Sequence, residues 1–369
     1  MAKTINNNIE KVKIQLSALN TYLQDNKVEN VEKEISGKDF IAWGSDNQYP
    51  GYLFSLYTDC ATLQSIINGT ADFICGNEIS CNLPRFEKTV NKNGDTINDI
   101  IQRISTDYLI FGGFALQVIR NANGEISELY WIDFNKLRSD KKNEVFFYSD
   151  EWDKSYGRVK YIIYPKFNID DSNPTSIFYY KGNKTRSTYP TPLYNAAITA
   201  CELEKKINEF HLNEISNNFL TSKIINFNSG IPDDDLKNEI ERNLNEKFSG
   251  AENAGRILIS FNANKDSETT VTDIPMDEFG ERYDSLAKRS TSQIFTAFRA
   301  TPNLFGLPTE TTGFNQQEFA EAFKLYNRTA VKPIQKVIVD TFDKIFGVDG
   351  SITIEPFNLE DGKKETNVE

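Results

Sequence analysis

An α+β fold is predicted by three features of the chain. Two long stretches, near 276–298 and 315–346, carry apolar residues every three or four positions, the spacing of helices. Between residues 111 and 132, two apolar runs rich in β-favouring residues flank Asn121-Ala122-Asn123-Gly124, the pattern of a hairpin. The full 369 residues suffice for two or more packed modules.

Taken in order, residues 1–38 read as an N-terminal arm. A polar start at Asn6-Asn7-Asn8 precedes a charged, weakly periodic stretch from Ile9 to Ile35 that reads as a helix. Trp43 to Pro50 is turn chemistry, dense in Gly, Ser, Asp, Asn and Pro. A single helix is expected from Pro50 to about Gly76, and another from Ile97 to Leu109. After the hairpin, short strands are expected at 145–148, 159–164 and 176–180. Tyr189 or Thr191 then caps a long helix reaching Phe219, with Pro192 in its first turn.

Residues 222–275 read as a small insert: strand Lys223–Phe227, helix Asp233–Phe248, strand Arg256–Phe261, then a polar loop. A helix over Met276–Phe298 leads into the loop 301–315. Asn315 and Glu318 form a capping pair for the last helix, which runs to Phe346 with Phe319, Phe323, Tyr326, Ala330, Ile334, Val337 and Ile345 on one face. Pro333 lies inside that run. It lacks a backbone donor and crowds the preceding turn, which predicts a kink. Residues 360–369 are charged and read as disordered.

Composition narrows the function. Hydrophobic residues make up 39% and charged residues 25%, a globular balance. The net charge of −12 argues against a sequence-reading nucleic-acid binder, which would be basic. An acidic surface suits DNA only where DNA must slide without sticking. Cys60, Cys75, Cys81 and Cys201 have no zinc-ligand spacing and read as reduced, mostly buried thiols. The lone histidine, His211, sits mid-helix, so histidine-based catalysis is unsupported. No apolar run of about 18 residues and no signal peptide is seen, so cytoplasmic synthesis is expected and no membrane partner. Gly112-Gly113 lacks the following Lys-Ser/Thr of a phosphate loop and reads as a close backbone approach or bulge.

Two acidic clusters have the composition of metal sites. Asp170-Asp171 precedes Ser-Asn-Pro and reads as a turn. Asp233-Asp234-Asp235 follows Pro232 and reads as the acidic first turn of a helix. They are the candidate residues for a rival reading, a metal-dependent nuclease or nucleotidyltransferase. The other rival is an interaction protein, a structural component that assembles with others but never surrounds DNA. No catalytic, cofactor or metal residue is assigned. Apart from Glu310, the loop itself, Thr301 to Asn315, offers uncharged and mostly small residues where an enzyme would place chemistry.

Several stretches, met in sequence, resemble the portal proteins of tailed bacteriophages of the siphophage type. They are Leu109–Ala115 with Gly124 and Leu129-Tyr130, then Tyr189-Pro190-Thr191-Pro192-Leu193. Gly250–Ile259, Phe298–Gly306 and Asn315–Pro333 follow. The resemblance covers about residues 40–347. It implies an N-terminal arm at 1–38, a wing at 39–190, stem helices at 191–221 and 276–300, and a clip at 222–275. It also implies a tunnel loop at 301–315, a kinked wing helix at 316–347, and a short tail or minimal crown at 348–369.

By the same resemblance the chain forms a homo-oligomeric ring, a dodecamer, at one capsid vertex of the virion, assembled in the host cytoplasm. Double-stranded DNA passes through the axis. The implied partners are the terminase large subunit, the major capsid and scaffold proteins, and a head-completion or adaptor protein. Thr309, Glu310, Thr311, Thr312 and Gly313 would form a collar facing DNA. Trp43, Trp131 and Trp152 would serve either ring contacts or the core.

Overall fold

The computed structural model describes residues 30–154, 158–182, 187–216, 223–227, 236, 257–261, 276–307 and 316–357. The chain divides into two compact units. One holds the chain up to Ala196 and from Phe295 onward; the other is Ala197–Ile294.

The first unit begins with β1 (Glu32–Glu34), paired antiparallel to β2 (Ile41–Trp43). The charged stretch expected as a helix to Ile35 therefore ends as a strand. All three residues of β2 are buried, and pairing with β1 satisfies backbone groups that burial would otherwise strand. Two helices follow, α1 (Tyr49–Asp59) and α2 (Ala61–Cys75), where one was expected. The break is Cys60, extended at φ −105° and ψ 107°, with its side chain fully buried. Thr58 Oγ1 donates to Ser55 O at 3.0 Å, a local bond that competes with helix continuation.

After β3 (Glu78–Cys81) comes α3 (Ile97–Phe111), started by a reciprocal cap. Asp99 N–H donates to Thr96 Oγ1 at 3.2 Å, and Thr96 N–H donates to Asp99 Oδ2 at 2.8 Å. The helix runs two residues past its expected end. Gly112 stops it in the left-handed region at φ +82°, and Gly113 opens β4 (Gly113–Arg120), so Gly112 lies at a helix end and not on a strand. The close approach is real: a Cβ on Gly112 would lie 2.3 Å from the Thr191 carbonyl oxygen, and one on Gly113 2.6 Å from that of Tyr180.

The hairpin closes with β5 (Ile126–Trp131). Then β6 (Leu137–Ser139), β7 (Val145–Tyr148) and β8 (Ile162–Pro165) form an antiparallel sheet, while β9 (Thr175–Lys181) pairs with β4 in the order β5-β4-β9. Asp170 lies in a turn between β8 and β9, as expected, and Asp171 N–H donates to Asn168 O at 3.2 Å.

The second unit contains α4 (Ile198–Ser216), parallel strands β10 (Lys223–Phe227) and β11 (Ile257–Phe261), and α5 (Met276–Phe298), whose end from Phe295 belongs to the first unit. The helix expected from Thr191 starts only at Ile198, after a 3₁₀ turn at Asn195–Ala197, so Pro192 is not in its first turn. The residues before it are held elsewhere: Tyr194 is buried and its hydroxyl donates to Ile110 O at 3.1 Å. The His211 ring meets Tyr283 edge-on at 5.7 Å. Asp233–Asp235 lie outside the described residues, as does their helix except Leu236.

The chain ends in the first unit with α6 (Gln316–Tyr326), a π-helical segment at Asn327–Val331, α7 (Lys332–Phe346) and β12 (Ile352–Glu355). β12 pairs antiparallel with β3, so part of the expected C-terminal tail is a sheet strand.

The core of the first unit is organised by a buried cation. Arg138 is 1% exposed. Its Nε donates to Asn47 Oδ1 at 2.6 Å and its Nη2 to Asn47 O at 2.7 Å. Its Nη1 donates to Asn135 O at 2.7 Å and Leu137 O at 2.9 Å. The guanidinium also lies over the Trp152 ring, 4.9 Å from its centroid. Asn47 Oδ1 accepts a second bond, from Trp43 N–H at 3.0 Å. Trp43 in turn stacks on Tyr189, centroids 4.5 Å apart and planes at 1°. Trp43 and Trp152 are thus core residues, while Trp131 is half-buried and donates to Asp107 at 2.7 Å.

Replacing Arg138 by Leu takes the guanidinium donors away from the carbonyl oxygens of Asn47, Asn135 and Leu137 and leaves Asn47 Oδ1 to the Trp43 N–H. The expected loss is ~3 kcal/mol of unfolding free energy by urea titration. Breaking the exposed Lys141–Glu34 pair with Lys141→Ala is expected to leave the urea midpoint unchanged in the same assay, since solvent screens such a pair.

Candidate functional site

The loop that the sequence singles out is described at its two roots. Its inner residues, Thr309, Glu310, Thr311, Thr312 and Gly313, lie outside the described residues. The first root begins where α5 stops. Arg299 takes the left-handed conformation at φ +56°, Ala300 N–H reaches back to Phe295 O at 3.0 Å, and Arg299 N–H to Thr296 O at 3.1 Å. This pair of bonds is the Schellman stop, built here on an arginine where glycine is usual. A 3₁₀ turn at Pro302–Phe305 follows and is ended by Gly306 at φ +82°.

Phe305 pins this root to α2. Its ring lies 6.1 Å from Phe73 and 5.7 Å from Tyr326, both edge-on, and 6.1 Å from Phe295. Gly69 makes room for it, since a Cβ there would sit 3.0 Å from the Phe305 ring. Ser65 Oγ donates to Phe305 O at 3.4 Å.

The second root, α6, is pinned to the same helix. Phe323 packs edge-on against Phe73 at 5.1 Å, and Phe357 closes the cluster at 5.3 Å from Phe73. The Tyr326 and Thr70 hydroxyls share a hydrogen bond of 2.7 Å in the buried interior. Burial pushes the Tyr326 phenol up to about 12, partly offset by the Thr70 bond. One face of α2, through Thr70 and Phe73, therefore holds both ends of the loop.

Pro333 is the second residue of α7, directly after the π segment. In a regular α-helix residue 333 would donate to Thr329 O; proline has no N–H to give. The ladder widens just before it, with Lys332 N–H donating to Asn327 O. A cavity of about 240 Å³ adjoins this turn, lined among others by Tyr108, Leu193, Arg299, Tyr326, Ala330 and Pro333.

Among the described residues no three His, Cys, Asp or Glu side chains converge as a metal site, and no helix is long and apolar enough to cross a membrane. Burial opposes the ionisation of Asp133 and, more strongly, of Asp107. The Asp107 carboxylate oxygen accepts from Trp131, a structural bond far from the loop in sequence. Sequence reasoning missed the aromatic anchors Phe73, Phe305 and Phe357 and the Tyr326–Thr70 bond. The one signal for them is an unusual density of Phe on both sides of the loop.

The family model for phage portal protein matches residues 88–361. Among solved structures, the chain is similar to one in the neck of the native GTA particle computed with C12 symmetry. That match has 19% identity over 84% of each chain and a TM-score of 0.49. It is also similar to a chain in the virion of the native gene transfer agent particle, at 18% identity over 82% of this chain and 83% of that one, TM-score 0.49. An HK97 family phage portal protein from Corynebacterium diphtheriae matches at 10% identity over 79% and 88%, TM-score 0.47. No curated protein matches the chain.

Tyr326→Phe removes the bond to Thr70 and leaves that hydroxyl buried, an expected loss of ~1 kcal/mol by thermal or urea unfolding. The phenol's folded pKa is raised, so its stabilisation is complete below pH ~10, the ordinary tyrosine value, and fades as pH climbs through about 12. The gap between wild type and Tyr326→Phe should therefore narrow from pH 9 to pH 12.

Proposed function

Because the chain belongs to the phage portal protein family, we propose that it is the portal subunit of a tailed particle. Copies close into a ring at one capsid vertex, and double-stranded DNA enters and leaves along the ring axis. The observation that carries this reading is the family match over residues 88–361, which takes in the wing proposed from the sequence from residue 88 on, and the proposed stem, clip and loop. Twelve copies is the number the portal resemblance implies.

In this reading, 39–190 together with 316–347 forms the wing. The helices at 191–221 and 276–300 form the stem, and 222–275 the clip. Ring closure needs two unlike patches on each subunit that meet their counterparts around the circle. The segment 309–313 faces the axis, carried between two roots that α2 holds. A collar borne on fixed roots can touch a moving polymer without being dragged from its base. The net charge of −12 suits a conduit that lets the phosphate backbone pass.

The chain is a structural protein in this account, not an enzyme. Motor chemistry belongs to a separate terminase, which docks on the ring with the adaptor, capsid and scaffold proteins. No nucleotide-binding motif is present in the sequence to supply that chemistry in cis.

Deleting Thr309–Gly313 tests the axial role. Particles built with the shortened chain are expected to assemble yet package or retain less DNA, measured as encapsidated genome per particle. Particles that fill and hold DNA as wild type does would remove the loop from the mechanism.

A further inference from the structure

The sheet β6-β7-β8 ends on an open edge. Its last strand, β8, pairs with β7 in the register Phe147↔Ile163 and Tyr148↔Ile162. Lys166 N–H donates to Glu144 O at 3.0 Å, and bonded pairs alternate along an antiparallel ladder. Even-numbered residues of β8 therefore bond to β7, and the N–H and carbonyl of Ile163 point outward. Those of Tyr161, one step before the strand, point the same way. Among the described residues no backbone group meets either. Only beyond the strand does β9 take the outer side, where Phe167 N–H donates to Ile177 O at 2.8 Å.

The side chains at this edge are apolar. Ile162 and Ile163 are 56% and 57% exposed. Proteins blunt such edges with charge, proline or cover, because a bare apolar strand templates another. Lys160, Pro165 and Lys166 flank the edge, but the four residues from Tyr161 to Tyr164 carry no charge. Ile163 shares its face with Tyr161 and with Phe147 opposite. Phe147 belongs to a small core with Phe40, Trp152 and Val159, against which Ile35, Val145 and Tyr161 are only partly buried. That core is unfinished on the side where a further strand would lie.

The chain carries a segment suited to the place. In the N-terminal arm Val12, Ile14 and Leu16 alternate with Lys11, Lys13, Gln15 and Ser17, the two-residue period of a half-buried strand. Helical spacing describes the arm only from Leu16 on, through Leu19, Tyr22 and Leu23. Residues 1–29 lie outside the described residues. Residues 17–29 separate the segment from the start of the described chain, and extended they span up to about 45 Å, enough to reach a neighbouring copy.

We propose that residues Val12–Leu16 of one copy add as a strand to the outer edge of β8 on the next copy. Ile163 and Tyr161 supply the backbone ladder. Val12, Ile14 and Leu16 cover the Ile163 face and finish the small core. Lys13 and Gln15 lie on the Ile162 face, where their stems cover that side chain and their heads stay in water. An arm and an open edge are unlike patches, so the contact runs head to tail, the kind that closes into a ring. The assignment to a neighbouring copy rests on the portal reading.

The test is site-specific cross-linking in the full-length chain. Two differently tagged versions are co-expressed, one with Lys13→Cys and the other with Ile162→Cys. Both carry Cys81→Ser, since Cys60, Cys75 and Cys201 are buried. A short bismaleimide is expected to join the two tags in one product. Adding Ile163→Lys to the acceptor chain, or Ile14→Asp to the donor chain, should lower its yield about tenfold, as a charge on a pairing edge does. Ile163 is more than half exposed, so its change should leave the urea midpoint in place. No joined product, or a yield that neither change lowers, overturns the proposal. Closed rings without the cross-link would reject the docking and keep the portal reading. Cross-linked chains that form no ring would reject the portal reading and keep the docking.

Discussion

The buried guanidinium of Arg138 is the constraint on which the first unit depends. A charge taken out of water is costly unless its hydrogen bonds are met. Here Asn47, Asn135 and Leu137 supply carbonyl acceptors and Trp152 supplies a ring face. Meeting them forces the turn at Asn47, itself at φ +65°, to sit against β6. That turn launches α1 and α2, and α2 is the helix that holds Phe305, Phe323 and Tyr326. The position of the loop roots is therefore inherited, through two helices, from a polar centre in the sheet layer.

What the roots display follows from that arrangement. Both are held by aromatic packing and one internal hydroxyl pair, with no ionised group required at the clamp. Such contacts are short-ranged and indifferent to salt, unlike ion pairs near a passing polyanion. A loop carried this way suits a conduit better than a binding cleft, and it agrees with an acidic chain whose family is that of phage portals.

Much of the fold is legible in the amino-acid sequence. The hairpin around Asn123-Gly124, the helix Met276–Phe298 and the strands at 223–227 and 257–261 announce themselves by turn chemistry and periodicity. Other features are hidden for physical reasons. Cys60 breaks a helix because a tertiary pocket takes its side chain, and residues 190–194 stay non-helical because Tyr194 and the Thr191 carbonyl pack against α3 and Gly112. Strands of four residues such as β3 and β12 exist only because each completes the other from far along the chain. At the candidate site, the spacing of Phe323, Tyr326, Ala330 and Ile334 reads as one helix kinked at Pro333, while the fold buries Val331 and takes up the extra residue in a π turn just before that proline. The aromatic clamp on α2 is invisible to periodicity because its members are far apart along the chain.

The central claim is tested most directly by locating the chain within the particle it builds. Electron cryomicroscopy of assembled particles, with the chain tagged at its C-terminus, should show one closed ring of tagged subunits at a single vertex, with a central channel. Tag density spread over many shell positions, or along a tail with no ring at a vertex, would contradict the account.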